Sequence, residues 1–127
     1  MDKTALVSLE VHRGKEIVDA LESANLKISV ALWMFLSEYE DWRMVLSARR
    51  FDSLDPLAAY RLLHTLLDSA EFTPERTPPI LILRMTDPFI KALRSIFGKA
   101  ESVEGMRLGS RSIGNRFVED AYVYRIS

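Results

Sequence analysis

Hydrophobic positions crowd most densely between Lys27 and Phe51. Ile28, Val30, Leu32, Met34 and Leu36 alternate with Ser29, Ala31, Trp33 and Phe35, so a strand here would be apolar on both faces. Such a strand has to be covered on both faces, by the rest of the chain or by a second copy of it. The acidic stretch Ser37 to Asp41 follows as a loop, and a second strand is expected over Trp42 to Phe51. Trp42, Met44, Leu46 and Ala48 share one face of it, and Arg43, Val45, Ser47 and Arg49 share the other. One face is buried and one partly wet, as befits a position near a sheet edge.

Upstream, Val11, Gly14, Val18 and Leu21 recur at helical spacing, with Ile17 and Ala24 on the flank. Ser8 is a candidate N-cap, and Asn25 suits the left-handed position past the helix end. Gly14 costs ~1 kcal/mol against Ala inside a helix, so either the helix begins after it or another group packs closely there. Downstream, Asp55-Pro56 predicts a helix start, with Asp55 as cap and Pro56 in the first turn. Its stripe is Tyr60, Leu63 and Leu67, and it ends near Glu71. Ile80 to Leu83 is a continuous apolar run after Pro79, expected as a central, fully covered strand. Asp87-Pro88 repeats the helix start, the apolar face is Phe89, Ile90, Leu93, Ile96 and Phe97, and Gly98 ends it. Lys99 to Gly105 reads as a polar linker. Met106 to Ser112 and Arg116 to Ile126 form a last hairpin turning at Gly114-Asn115, with Val118, Tyr122, Tyr124 and Ile126 on one face.

The order αββαβαββ gives a single α+β domain over residues 1–127, with a mixed or antiparallel sheet of about five strands packed with about three helices. Ala31-Leu32-Trp33, Trp42 to Leu46 and Val118 to Arg125 resemble a widespread group of uncharacterised bacterial hypothetical proteins. That resemblance implies a bacterial cytosolic protein and brings no activity, ligand or catalytic residue.

Composition narrows the classes of function. Hydrophobic residues make up 48% of the 127, enough for a core. The net charge of −1 gives no overall drive towards nucleic acid or anionic membranes. Without cysteine there are no disulfides, thiolate metal sites or thiol nucleophiles, which fits a reducing compartment. No apolar run reaches the ~18 residues of a membrane span, and the first residues lack a signal-peptide pattern. The expectation is a cytoplasmic protein without a membrane partner.

No reactive constellation stands out. His12 and His64 each have at most one carboxylate at helical spacing, too few ligands for a metal site, and no cofactor fingerprint occurs. Glu119-Asp120 on the last strand puts one acid on the inner face, where Arg84, Arg107 or Arg125 could pair with it. A structural ion pair is the first reading of that acid, and a general acid or base of a small hydrolase is the second. Charge is uneven: Arg84 to Arg116 holds seven bases against three acids, a local +4, and Arg49-Arg50 adds a second basic spot. Arg107 and Arg111 are four apart and share a face in an unbroken strand, and Arg116 returns beside them, a candidate weak anion or nucleic-acid site. Taken together, the chain reads as a non-catalytic interaction or structural module that self-associates. Sequence-independent binding of nucleic acid or phosphate through Arg107, Arg111 and Arg116 is the alternative.

Overall fold

A computed structural model describes residue 6 and residues 8–100 and 102–127. The elements in chain order are α1 (Ser8–Ser23), β1 (Val30–Leu36), β2 (Asp41–Ser47), the single-turn α2 (Arg49–Asp52), α3 (Pro56–Ser69), β3 (Ile80–Ile82), α4 (Pro88–Phe97), β4 (Arg107–Ile113) and β5 (Arg116–Ile126). The strands form one sheet in the order β3-β2-β1-β5-β4. β3 runs parallel to β2, and all other neighbours are antiparallel. The expected α+β class with a five-stranded mixed sheet is what the chain adopts. No helix among the described residues is long and apolar enough to cross a membrane.

All seven residues of β1 are buried, and it is the middle strand. Its two faces are covered by different parts of the same chain. Ala31, Trp33 and Phe35 join Ile17, Val18 and Leu21 of α1 and Leu63 and Leu67 of α3 in one core. Val30, Leu32, Met34 and Leu36 join Phe89, Ile90 and Leu93 of α4 in the other. The doubly apolar strand is thereby accounted for without a second copy.

The helix starts follow their local chemistry. The Asp55 carboxylate accepts from the Ala58 N–H at 2.9 Å, and the Asp87 carboxylate from the Phe89 N–H at 2.9 Å, each before a proline that lacks an N–H. Asn25 ends α1 at φ 65°, and the Leu26 N–H reaches back to the Leu21 carbonyl at 3.0 Å.

Gly14 lies inside α1 rather than before it. A Cβ there would overlap the Tyr124 hydroxyl and come within 2.7 Å of the Trp33 indole nitrogen. The Trp33 Nε1–H donates to the Tyr124 oxygen at 2.9 Å, and that hydroxyl donates in turn to the Val11 carbonyl at 2.5 Å. This chain of bonds pins α1 to β1 and β5 from within a buried site. The gap left by the missing side chain is what lets the helix approach.

Several expectations are corrected. The second strand stops at Ser47 rather than Phe51. β1 pairs no further than Val30↔Ser47 and β3 no further than Leu46, so beyond Ser47 the backbone satisfies itself locally. The Phe51 N–H bonds to the Ala48 carbonyl at 3.1 Å, forming α2 and burying Phe51. The run Ile80 to Leu83 is not a central strand. β3 is a half-buried edge, preceded by Pro78 and Pro79, which cannot donate to a ladder. On β5, Val118 and Ile126 face α4 while Tyr122 and Tyr124 face α1. The register slips from Ala31↔Arg125 to Leu32↔Val123, and the extra residue, Tyr124, turns Ile126 to the other face. Val118 is parted from Tyr122 by the break opposite Ser110, which has φ 50° and no pairing partner on β5. In α4, Ile96 is exposed rather than buried with Phe89 and Leu93.

Two substitutions test the α1 junction by urea denaturation. Tyr124→Phe leaves the Val11 carbonyl and the Trp33 N–H without their partner and should cost ~1–3 kcal/mol. Burial raises the Tyr124 pKa above the ordinary phenol range, so the neutral hydroxyl is the folded form. Its contribution is complete below about pH 10 and fades as the pH climbs beyond that, a decline Tyr124→Phe should flatten. Gly14→Ala should also destabilise, by ~1–3 kcal/mol, despite the better helix propensity of alanine. A more stable Gly14→Ala protein would contradict the close approach.

Candidate anion-binding groove

Helices cover the faces of a sheet and leave its ends to loops. At one end three strand termini are tied level: the Ser29 N–H donates to the Ser47 carbonyl at 3.0 Å, and the Ser127 N–H to the Ser29 carbonyl at 2.8 Å. A groove of about 570 Å³ opens over them. Its walls come from both helical layers, with Leu62 and Leu66 from α3 and Arg94 from α4. The rest is supplied by the α1–β1 connection, the β2–α2 junction and the chain end at Ser127.

Local structure explains why the charges point there. The left-handed turn at Asn25 sends Leu26 into the core and leaves Lys27 exposed. The turn after Ser47 buries Phe51 and leaves Arg49 and Arg50 exposed. Arg94 is held by a hydrogen bond from its Nε to the Ser127 backbone oxygen at 2.7 Å. Arg50 donates from Nη1 to the Ser53 hydroxyl at 3.2 Å, and that hydroxyl donates back to the Arg50 carbonyl at 2.7 Å. Lys27, Arg49, Arg50 and Arg94 therefore line one groove, and no acidic side chain lines it among the described residues. Ser29, 8% exposed as a residue, also lines the groove, and its side-chain hydroxyl makes no hydrogen bond to the described residues. Guanidinium groups present paired donors suited to phosphate oxygens, and a lysine adds a point charge.

The residues proposed from sequence are placed differently. Arg107 lies over the Trp42 ring on the α1 side, 6.0 Å from its centroid, and donates from Nη2 to both Asp120 oxygens at 2.9 Å. Arg111 lies over Phe97 at 5.8 Å on the α4 side. Arg116 lies over Phe89 at 5.9 Å, also on the α4 side, and 3.5 Å from Glu38. The expectation that Arg107 and Arg111 share a face is corrected. Ser110 between them adopts φ 50°, which interrupts the alternation of the strand. Asp120 has Arg107 as its partner, and Glu119 is exposed. His12 sits 3.6 Å from Glu16 on the helix surface, and His64 is exposed. Among the described residues no three metal-ligating side chains cluster.

A second cavity, of about 600 Å³, lies between α1 and β5. Its cations are already matched: Lys15 is 3.1 Å from Glu104, and Arg107 carries Asp120. The hydrogen bond that Lys15 donates to the Glu104 carboxylate is the main cause raising the Lys15 pKa. The groove at the strand ends differs in holding several cations and no carboxylate side chain to match them.

Comparison with protein-family models, with curated proteins and with solved structures finds no match to this chain. The groove is thus read from its own chemistry. Sequence reasoning singled out Arg49-Arg50 as a basic spot and missed Lys27, Ser29 and Arg94 as its companions. Nothing in their spacing joins them; only the strand order does.

Because the Ser29 hydroxyl bonds to nothing in the protein, Ser29→Ala should shift the unfolding free energy by less than about 0.5 kcal/mol. Asp120→Ala removes the partner of Arg107 and should cost up to about 1 kcal/mol. Urea unfolding of the two variants beside wild type checks both.

Proposed function

We propose that this protein is a non-catalytic binding module for a phosphate-bearing ligand, held in the groove where β1 begins and β2 and β5 end. One observation carries the reading: four cationic side chains and Ser29 line one groove that has no acidic side chain among the described residues. Like charges brought together repel, and an anion bound among them relieves that repulsion. A phosphate offers enough acceptor oxygens for several donors at once. The C-terminal hairpin supports anion binding less well, since Arg107 and Arg116 already face carboxylates and Arg111 lies on the opposite face from Arg107. Self-association loses its main motive once both faces of β1 are covered by the same chain.

Calorimetric titration with inorganic pyrophosphate at ionic strengths of ~0.01 M and ~0.15 M tests the reading. The expected result is binding that weakens with salt, falls at least tenfold in the double variant Arg49→Ala/Arg50→Ala, and is unchanged in Arg107→Ala/Arg111→Ala. Circular dichroism confirms that each variant is folded. No binding at the lower salt, or equal losses in both double variants, would overturn it.

A further inference from the structure

We propose that the ligand of this groove is an aliphatic phosphate ester, its phosphate among the arginines and its hydrocarbon part against Leu62 and Leu66. This rests on the phosphate-binding reading above and adds the class of molecule that carries the phosphate.

The groove is two-sided in chemistry. Arg49, Arg50 and Arg94 come from the β2–α2 junction and α4, whereas Leu62 and Leu66 come from α3. In α3 the buried stripe is Ala59, Leu63 and Leu67. Leu62 and Leu66 stand one position before the last two of these, a helical turn apart, and remain partly exposed. They pack at the margin of the core and still line the groove. An inorganic phosphate would satisfy the arginines and leave that aliphatic wall in water. The volume, about 570 Å³, is that of a small-molecule pocket and far more than a phosphate fills.

The lining also discriminates among organic phosphates. Among the described residues no aromatic side chain lines it. Nucleobases are commonly held by stacking on aromatic rings, and this groove supplies none. A saturated chain needs only dry aliphatic surface, and each methylene it buries strengthens binding several-fold.

The test is a competition series on the wild-type protein with inorganic phosphate, ethyl phosphate, hexyl phosphate and adenosine monophosphate, read by calorimetry. Hexyl phosphate should bind at least about tenfold more tightly than inorganic phosphate, the effect of two buried methylenes, with ethyl phosphate between them and the nucleotide weaker than hexyl phosphate. In Leu62→Ser the chain-length dependence should shrink while inorganic phosphate binding is kept. The wild-type ligand series decides the matter even if that variant fails to fold. Equal affinity for inorganic and hexyl phosphate, or a nucleotide that outcompetes hexyl phosphate, would overturn the aliphatic assignment and leave the phosphate site standing. Binding of none of the four would remove both. Co-sedimentation with phosphatidylcholine vesicles containing phosphatidate separates the sources of the chemistry. Recruitment assigns the ester to a lipid headgroup, and its absence, with hexyl phosphate still bound, assigns it to a soluble ester.

Discussion

A strand that is apolar on both faces cannot be left half wet, and β1 occupies the centre of the sheet with every residue buried. Burying a large aliphatic or aromatic side chain contributes ~1.5–3 kcal/mol, so exposing either face would remove several such contributions at once. That condition decides where the long helices go. α1 and α3 cover the side that carries Trp33 and Phe35, and α4 covers the side that carries Leu32 and Met34. The polar atoms buried under α1 are handled by one connected set, Trp33 to Tyr124 to Val11, with Gly14 making room for it. A buried donor or acceptor without a partner costs more than a made bond gains, so this set fixes the seating of α1 as well as allowing it.

Covering both faces leaves the ends of the sheet as the places where loops from different layers can meet. At the end where β1 starts, the helix cap at Asn25, the turn into α2 and the last residues of β5 all arrive together. The first two bury an apolar residue, Leu26 or Phe51, and leave cations outside, while Ser127 after β5 holds Arg94 of α4. The concentration of positive charge is thus a by-product of topology acting on residues far apart in the chain. At the other basic region the same rule works against a site, because on the last hairpin the alternation is broken and three of its four arginines have acidic neighbours.

What could be read from the sequence was mostly what depends on neighbours in the chain. The Asp-Pro starts of α3 and α4, the Gly98 stop and the Gly114-Asn115 turn are local chemistry, and they stand where expected. From Val30 to Leu36 the alternation assigned the two faces of β1 correctly because a regular strand has a strict period of two. Ile28, expected on the face of Val30, lies before the strand and packs in the core of Trp33. Reading failed where pairing partners decide. Nothing in Ile80 to Leu83 says that only one neighbour will pair with it, and nothing in Ala48 to Phe51 says that both neighbours have run out. The extra residue on β5 moves side chains across the sheet without a sequence signal, and at the left-handed Ser110 the one signal is the neighbouring Gly109. The groove shares this limit. Lys27, Arg49 and Arg94 are united by the strand order alone, and only the Arg49-Arg50 pair was visible as a basic spot.

Native-state hydrogen exchange on the amides of Val30 to Leu36, at two protein concentrations, bears most directly on the double cover of β1. If its own chain closes both faces, these amides exchange only through global unfolding, are among the slowest in the protein, and are equally protected at both concentrations. Exchange through local opening, or protection that rises with concentration, would mean that one face is closed by something other than α1, α3 and α4, and would contradict the account.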